Sequence, residues 1–159
     1  MISKISKMKK KILIPEEKFQ HDFKPLAGFF DYHVKSKNIK IPLEKFQEFG
    51  VNLIPQKPPK MAKIPQKDVA INSIVFSSSR KSNNVKNLAW YIRCLVSHPE
   101  NISIDNMDGK ACYRLYCSKK VDNKDDYSIT MQGLVDCEIW AEFAKKWMNT
   151  ILELSENYE

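Results

Sequence analysis

Four glycines in 159 residues, Gly28, Gly50, Gly109 and Gly133, leave no glycine-rich phosphate loop and no nucleophile elbow. Nucleotide-binding enzymes of the P-loop and dinucleotide type and the serine hydrolases are thereby set aside. Histidine is scarcer still, at three, and the four cysteines, Cys94, Cys112, Cys117 and Cys137, show neither a C-x-x-C pair nor any zinc-ligand spacing. No metal and no cofactor are expected, and the cysteines read as reduced, buried thiols. No stretch of about 18 apolar residues occurs, and the first residues lack the apolar segment of a signal peptide, so a cytoplasmic protein is expected. There is no internal repeat.

What is abundant is lysine. The formal charge is +7, and it is uneven: residues 1–80 hold 16 Lys and Arg against 7 Asp and Glu, while residues 81–159 hold 10 against 12. A basic half favours phosphate-bearing partners, because Lys and Arg displace the counterions condensed on nucleic acid. The alternative is a solvated, lysine-rich surface, since only Lys7, Lys9, Lys10 and Lys11 cluster. A hydrophobic fraction of 43% suffices for one packed domain.

The expected organisation is a basic tail over 1–14 followed by one helical domain over 15–159. Within it, 15–50 holds the N-terminal helices, 51–67 is a proline-rich connector, and 68–154 is the core. From Pro15, the residues Phe19, Phe23, Leu26, Ala27, Phe30 and Val34 recur at helical spacing, with Pro25 forcing a kink or a restart. His21 and His33 on this segment have no evident partner. Pro42, Leu43, Phe46 and Phe49, with Gly50 at the C′ position, describe a second short helix. Four prolines between 51 and 67 argue against a helix or a central strand there. Asp68 with Val69, Ile71, Ile74 and Val75 reads as a helix, a buried strand being the rival. The hydroxyl-rich turn Ser77 to Lys81 follows, where Arg80 and Lys81, with Lys86 just beyond, are candidate phosphate contacts.

The chain is organised around residues 82–99. Val85, Leu88, Ala89, Ile92, Leu95 and Val96 form one apolar stripe, with Ser82, Asn83 or Asn84 as N-cap. Arg93 falls on the edge of the stripe, and His98, before Pro99, is the C-cap. Beyond Pro99 the period shortens: Cys112–Cys117 and Tyr127–Met131 read as a β-hairpin around the charged loop 119–126. A last helix from Asp136 to Leu154 carries Ile139, Trp140, Phe143, Ala144, Trp147, Met148, Ile151 and Leu152 on one broad face. That tryptophan stripe is core or dimer interface, because a platform for bases would need exposed rings beside basic residues.

Arg93 followed by His98 at the end of a helix, then a hairpin, then a long helix after Gly133-Leu134, resembles the Arg-x(4–6)-His arrangement of the HEPN family over about residues 66–154. The resemblance implies a mainly α fold, a HEPN-like helical bundle with a small antiparallel β-hairpin before the last helix. It also implies a metal-independent RNA endonuclease acting as a homodimer, with Arg93 and His98 of both protomers in one composite site. A toxin–antitoxin or phage-defence role, with an antitoxin or regulatory protein as partner, would follow. The guanidinium would stabilise the pentacovalent phosphorane, and the imidazole would protonate the leaving oxygen. The chain departs from the family pattern at Cys94, where a polar residue, often Asn, is common, and at Pro99. A non-catalytic HEPN-like module binding nucleic acid or protein therefore stands beside the nuclease, as does a small inhibitor encoded by a mobile element.

Overall fold

The structure, a computed structural model, describes residues 12–28, 43–56, 69–78, 86–120 and 127–158. Its strands are β1 (Ile12–Leu13), β2 (Asn52–Gln56), β3 (Ser73–Ser77), β4 (Ile102–Met107), β5 (Lys110–Lys120) and β6 (Tyr127–Asp136). Its helices are α1 (Glu16–Asp22), α2 (Leu43–Phe46, continued by a 3-10 turn over Gln47–Phe49), α3 (Lys86–Ser97) and α4 (Cys137–Tyr158). The strands form one six-stranded sheet in the order β1-β4-β5-β6-β3-β2, antiparallel except for the parallel pair β2 and β3. The expected mainly α bundle is therefore wrong: this is an α+β protein whose helices α1, α3 and α4 pack on a mixed sheet.

Two sequence features concealed the sheet, and a third signal for it went unused. Ser73–Ser77 is buried at every position between β6 and β2, so Ile74, Val75 and Phe76 show no alternation, and a short apolar run of this kind has no period that separates strand from helix. Of the helix read over 68–75, residues 73–75 belong to a strand and 69–72 lead into it through a turn, while the expected cap Asp68 lies outside the described residues; the β-branched residues are the better guide. Asn52–Gln56 lies within the segment read as a connector, and Pro55 is tolerated there because β2 has β3 on one side only among the described strands. Ile102–Met107 was not recognised as a strand, although Asp108-Gly109 behind it is a strong two-residue hairpin signal. Both residues have positive φ, 54° and 83°, and the Gly109 N–H donates to Asn106 Oδ1 at 3.0 Å. The expected hairpin is the second half of a three-stranded meander.

The tail boundary at 14 also moves, since Ile12–Leu13 pairs with Ile104 and Ser103 of β4. Helix α1 begins after Pro15 and stops at Asp22, short of Pro25; Phe30, His33 and Val34 lie outside the described residues. Gly50 takes the left-handed conformation after Phe49, at φ 95°, as its C′ position required. Asp136 caps α4, its Oδ1 accepting from Glu138 N–H at 2.9 Å and Ile139 N–H at 3.3 Å.

One hydrophobic cluster joins the helices to one face of the sheet. Leu88, Ala89, Ile92 and Leu95 of α3 and Trp140, Phe143, Trp147 and Ile151 of α4 meet Ile74, Phe76, Tyr113, Leu115, Met131 and Val135. Gly133, at the centre of that face, has no room for a side chain: a Cβ there would lie 3.0 Å from Ile74 Cγ1 and 3.2 Å from Leu115 Cδ1. Asp22 ties α1 in. Its carboxylate accepts from the Tyr113 hydroxyl and meets His21 Nδ1 at 2.7 Å, and its carbonyl accepts from Trp140 Nε1–H at 2.9 Å. Burial, reinforced by Asp22, pushes the Tyr113 phenol above the usual tyrosine range. His21 therefore has a partner that spacing alone did not reveal.

Candidate nucleic-acid cleft

Helix α3 is positioned on the sheet by polar contacts at its first two turns. Asn87 Nδ2 donates to Ser78 Oγ at 3.2 Å, the Tyr91 hydroxyl donates to the Ser77 carbonyl at 3.0 Å, and the Cys117 thiol donates to the Tyr91 carbonyl at 3.3 Å. These fix its rotation with the apolar stripe inward. Trp90 then lies about 160° round the helix from both Leu88 and Ile92, on the side away from the core. It is 47% exposed, whereas Trp140 and Trp147 are fully buried. The Arg93 guanidinium stands 5.5 Å from the centre of the Trp90 ring, a cation–π pair.

The strand opposite is irregular at the matching height. Pairing of β5 with β6 shifts between Cys117↔Met131 and Ser118↔Ile129, which leaves Thr130 as an extra residue on β6. Such a bulge turns side chains that regular alternation would send to the other face. Between this bulge and α3 lies a cleft of ≈ 500 Å³, lined by Trp90, Tyr91, Cys94, His98, Asn101, Cys117, Ser118, Lys119 and Thr130. One wall offers an aromatic ring and an imidazole, the other a lysine and two hydroxyls.

Of the residues singled out from the sequence, His98 lines this cleft, while Arg93 is not among its lining residues and stands over the Trp90 ring. The two do not share a wall within one protomer. His98 directly follows the last residue of α3, the C-cap position expected of it, and its backbone N–H bonds the Cys94 and Leu95 carbonyls at 2.9 and 3.2 Å; its ring does not cap the helix, since Nδ1 lies 3.2 Å from Glu100 Oε1, both side chains exposed. Lys86 opens α3, and Arg80 and Lys81 fall outside the described residues. Burial raises the Cys94 thiol above its usual range, opposed by the neighbouring Arg93, and burial pushes Cys117 up to about 12. Both thiols are therefore largely protonated at neutral pH.

Trp90 was missed, although a tryptophan opposite an apolar stripe has no core to fill and could have marked it. Lys119, Ser118 and Thr130 were not legible, since nothing in the sequence marks the bulge that gathers them. A second cleft, ≈ 580 Å³, opens at the start of α4 beside Lys18, Lys110, Asp136, Cys137 and Glu138. There the Asp136 carboxylate already occupies the helix N-terminus and Glu138 adds another negative charge, which disfavours an anion. Among the described residues, no helix is long and apolar enough to cross a membrane. Comparison of the chain with protein-family models, with curated proteins and with solved structures finds no match.

Proposed function

We propose that this protein binds single-stranded RNA, holding an unpaired stretch in the cleft between α3 and the β5–β6 bulge. The observation that carries the reading is Trp90: a half-exposed indole, backed by Arg93, at the mouth of a cleft that also presents Lys119 and His98. Stacking on an aromatic ring is tolerant of base identity, and lysine and hydroxyl groups beside it suit a phosphodiester backbone. The +7 charge of the chain supports the same class of partner.

A labelled oligoribonucleotide titrated at low and moderate salt tests this. The expected result is binding that weakens steeply with salt and that falls for Trp90→Ala and for Lys119→Glu. Salt-insensitive binding, or binding indifferent to both substitutions, contradicts it.

A second reading is favoured by the openness of His98 to solvent within the cleft: metal-independent RNA cleavage of the HEPN kind, with a homodimer bringing Arg93 of a second copy towards it. That reading requires a dimer in solution and chelator-resistant cleavage that depends on both residues. A toxin–antitoxin or phage-defence setting belongs to this second reading and depends on the cleavage.

A further inference from the structure

Two thiols stand in the same cleft wall-to-wall. Cys94 projects from α3 at intermediate exposure, and Cys117 projects from β5, 5% exposed, with its thiol bonded to the carbonyl of Tyr91, one turn before Cys94 on the same helix. Both line the cleft, and Cys94 adds to the burial that makes Cys117 costly to ionise. The two are chemically unequal. Burial raises both thiols above their usual range; at Cys94 the adjoining Arg93 opposes part of that rise, while Cys117 is the more deeply buried, so Cys94 is the easier of the two to ionise.

We infer that Cys94 and Cys117 are a modification site for low-molecular-weight disulfides of the glutathione type, which convert the pair reversibly into a disulfide that narrows the cleft. The Cys94 thiolate attacks one sulfur of the small disulfide; a mixed disulfide forms and one small thiolate leaves. The Cys117 thiol, giving its proton to solvent, then attacks the Cys94 sulfur, forming the protein disulfide and expelling the second small thiolate. The protein loses two hydrogens and the reagent is reduced to two thiols, so the exchange balances. A disulfide fixes its two Cβ atoms about 3.8 Å apart, so it would clamp α3 to β5 across the floor on which Trp90, His98 and Lys119 open. The consequence for RNA rests on the binding proposed above; the disulfide itself does not.

The full chain, equilibrated with oxidised glutathione at pH 8, is assayed three ways: by mass and peptide mapping, by acrylamide quenching of tryptophan fluorescence, and by titration with labelled single-stranded RNA. The expected result is a Cys94–Cys117 linkage, shielded fluorescence and a loss of RNA affinity of roughly tenfold or more, all reversed by dithiothreitol and all absent in Cys94→Ser. Cys112→Ser, on the other side of the sheet, should behave as wild type. The inference is overturned if glutathione remains on Cys94 as a stable adduct, if other pairings form, or if the linkage forms with quenching unchanged. If the linkage and the shielding appear but neither redox form binds RNA, the thiol site stands and the RNA reading fails.

Discussion

The side chain of Gln47 takes the place of a neighbouring strand for Leu53. Its Oε1 accepts from the Leu53 N–H at 2.9 Å and its Nε2 donates to the Leu53 carbonyl at 2.6 Å, the two bonds an antiparallel partner would make. Both groups face away from β3, whose ladder takes the alternate residues: Asn52 N–H bonds the Asn72 carbonyl, and Ser78 N–H the Gln56 carbonyl, each at 2.8 Å. The next outward position is Pro55, which has no N–H to offer. The outer side of β2 is thereby closed to strand addition by one amide and one imino acid.

Gln47→Ala should therefore cost about 1–3 kcal/mol, the penalty for stripping partners from two backbone groups at a partly buried site. Urea denaturation measures it. Gln47→Ala combined with Pro55→Thr restores a free ladder of donors and acceptors, and should self-associate in light scattering where the wild type shows no association through this edge.

Gly133→Ala should destabilise by about 1–3 kcal/mol, because the new methyl meets Ile74 and Leu115 at 3.0 and 3.2 Å in a packed sheet face. Ile74→Ala removes the nearest atom, Cγ1, so the double variant should cost less than the sum of the two single losses. The pair is read as a double-mutant cycle in thermal or chemical melts.

Alkaline pH should unfold the protein through its buried thiols. In the folded state Cys117 is pushed up to about 12 and Cys137 to about 11, both chiefly by burial, above the range near 9 expected in the unfolded chain. The unfolded state thus loses its protons first: stability is full below about pH 9 and falls as pH rises from there towards the folded values. The slope is up to about 1.4 kcal/mol per pH unit for the deeply buried Cys117. Melting temperatures from pH 7 to 11 should show the fall, and Cys117→Ala should flatten it despite starting lower from its small cavity.

His98→Ala should leave stability within about 0.5 kcal/mol of wild type, since its exposed ring pairs with the equally exposed Glu100 and makes no cap bond among the described residues. The cleavage reading expects wild type to cut RNA in EDTA with 2′,3′-cyclic phosphate ends, and both His98→Ala and Arg93→Ala to abolish this. Wild type that binds RNA and leaves it intact supports the binding module alone.

Sequence reasoning located the helices that carry their own period. Lys86–Ser97 and Cys137–Tyr158 follow from their apolar stripes and, for the second, from the Asp136 cap. It failed where sequence-distant partners decide the state. Ile74 and Val75 are strand residues because β6 and β2 flank them, and Asn52–Gln56 is a strand despite Pro55 because its outer side is an edge. Each depends on residues that are far away in the chain. The site divides in the same way: Trp90 and His98 could be placed from helix geometry, while Lys119 and Thr130 reach the cleft only through a bulge created by the pairing of β5 with β6.

Tryptophan fluorescence offers the most direct test of the cleft. Trp140 and Trp147 are fully buried in the core, so a base stacking from solvent can reach Trp90 alone. Titration of the reduced protein with an unlabelled single-stranded oligoribonucleotide should quench part of the emission in a saturable, salt-sensitive way. Trp90→Phe should abolish the quenching, and Trp90→Ala should weaken affinity by roughly 5- to 150-fold, the worth of about 1–3 kcal/mol of stacking, without changing the melting temperature by more than a few degrees. Emission that RNA leaves unchanged, or quenching that persists in Trp90→Phe, would contradict the placement of the ligand against α3.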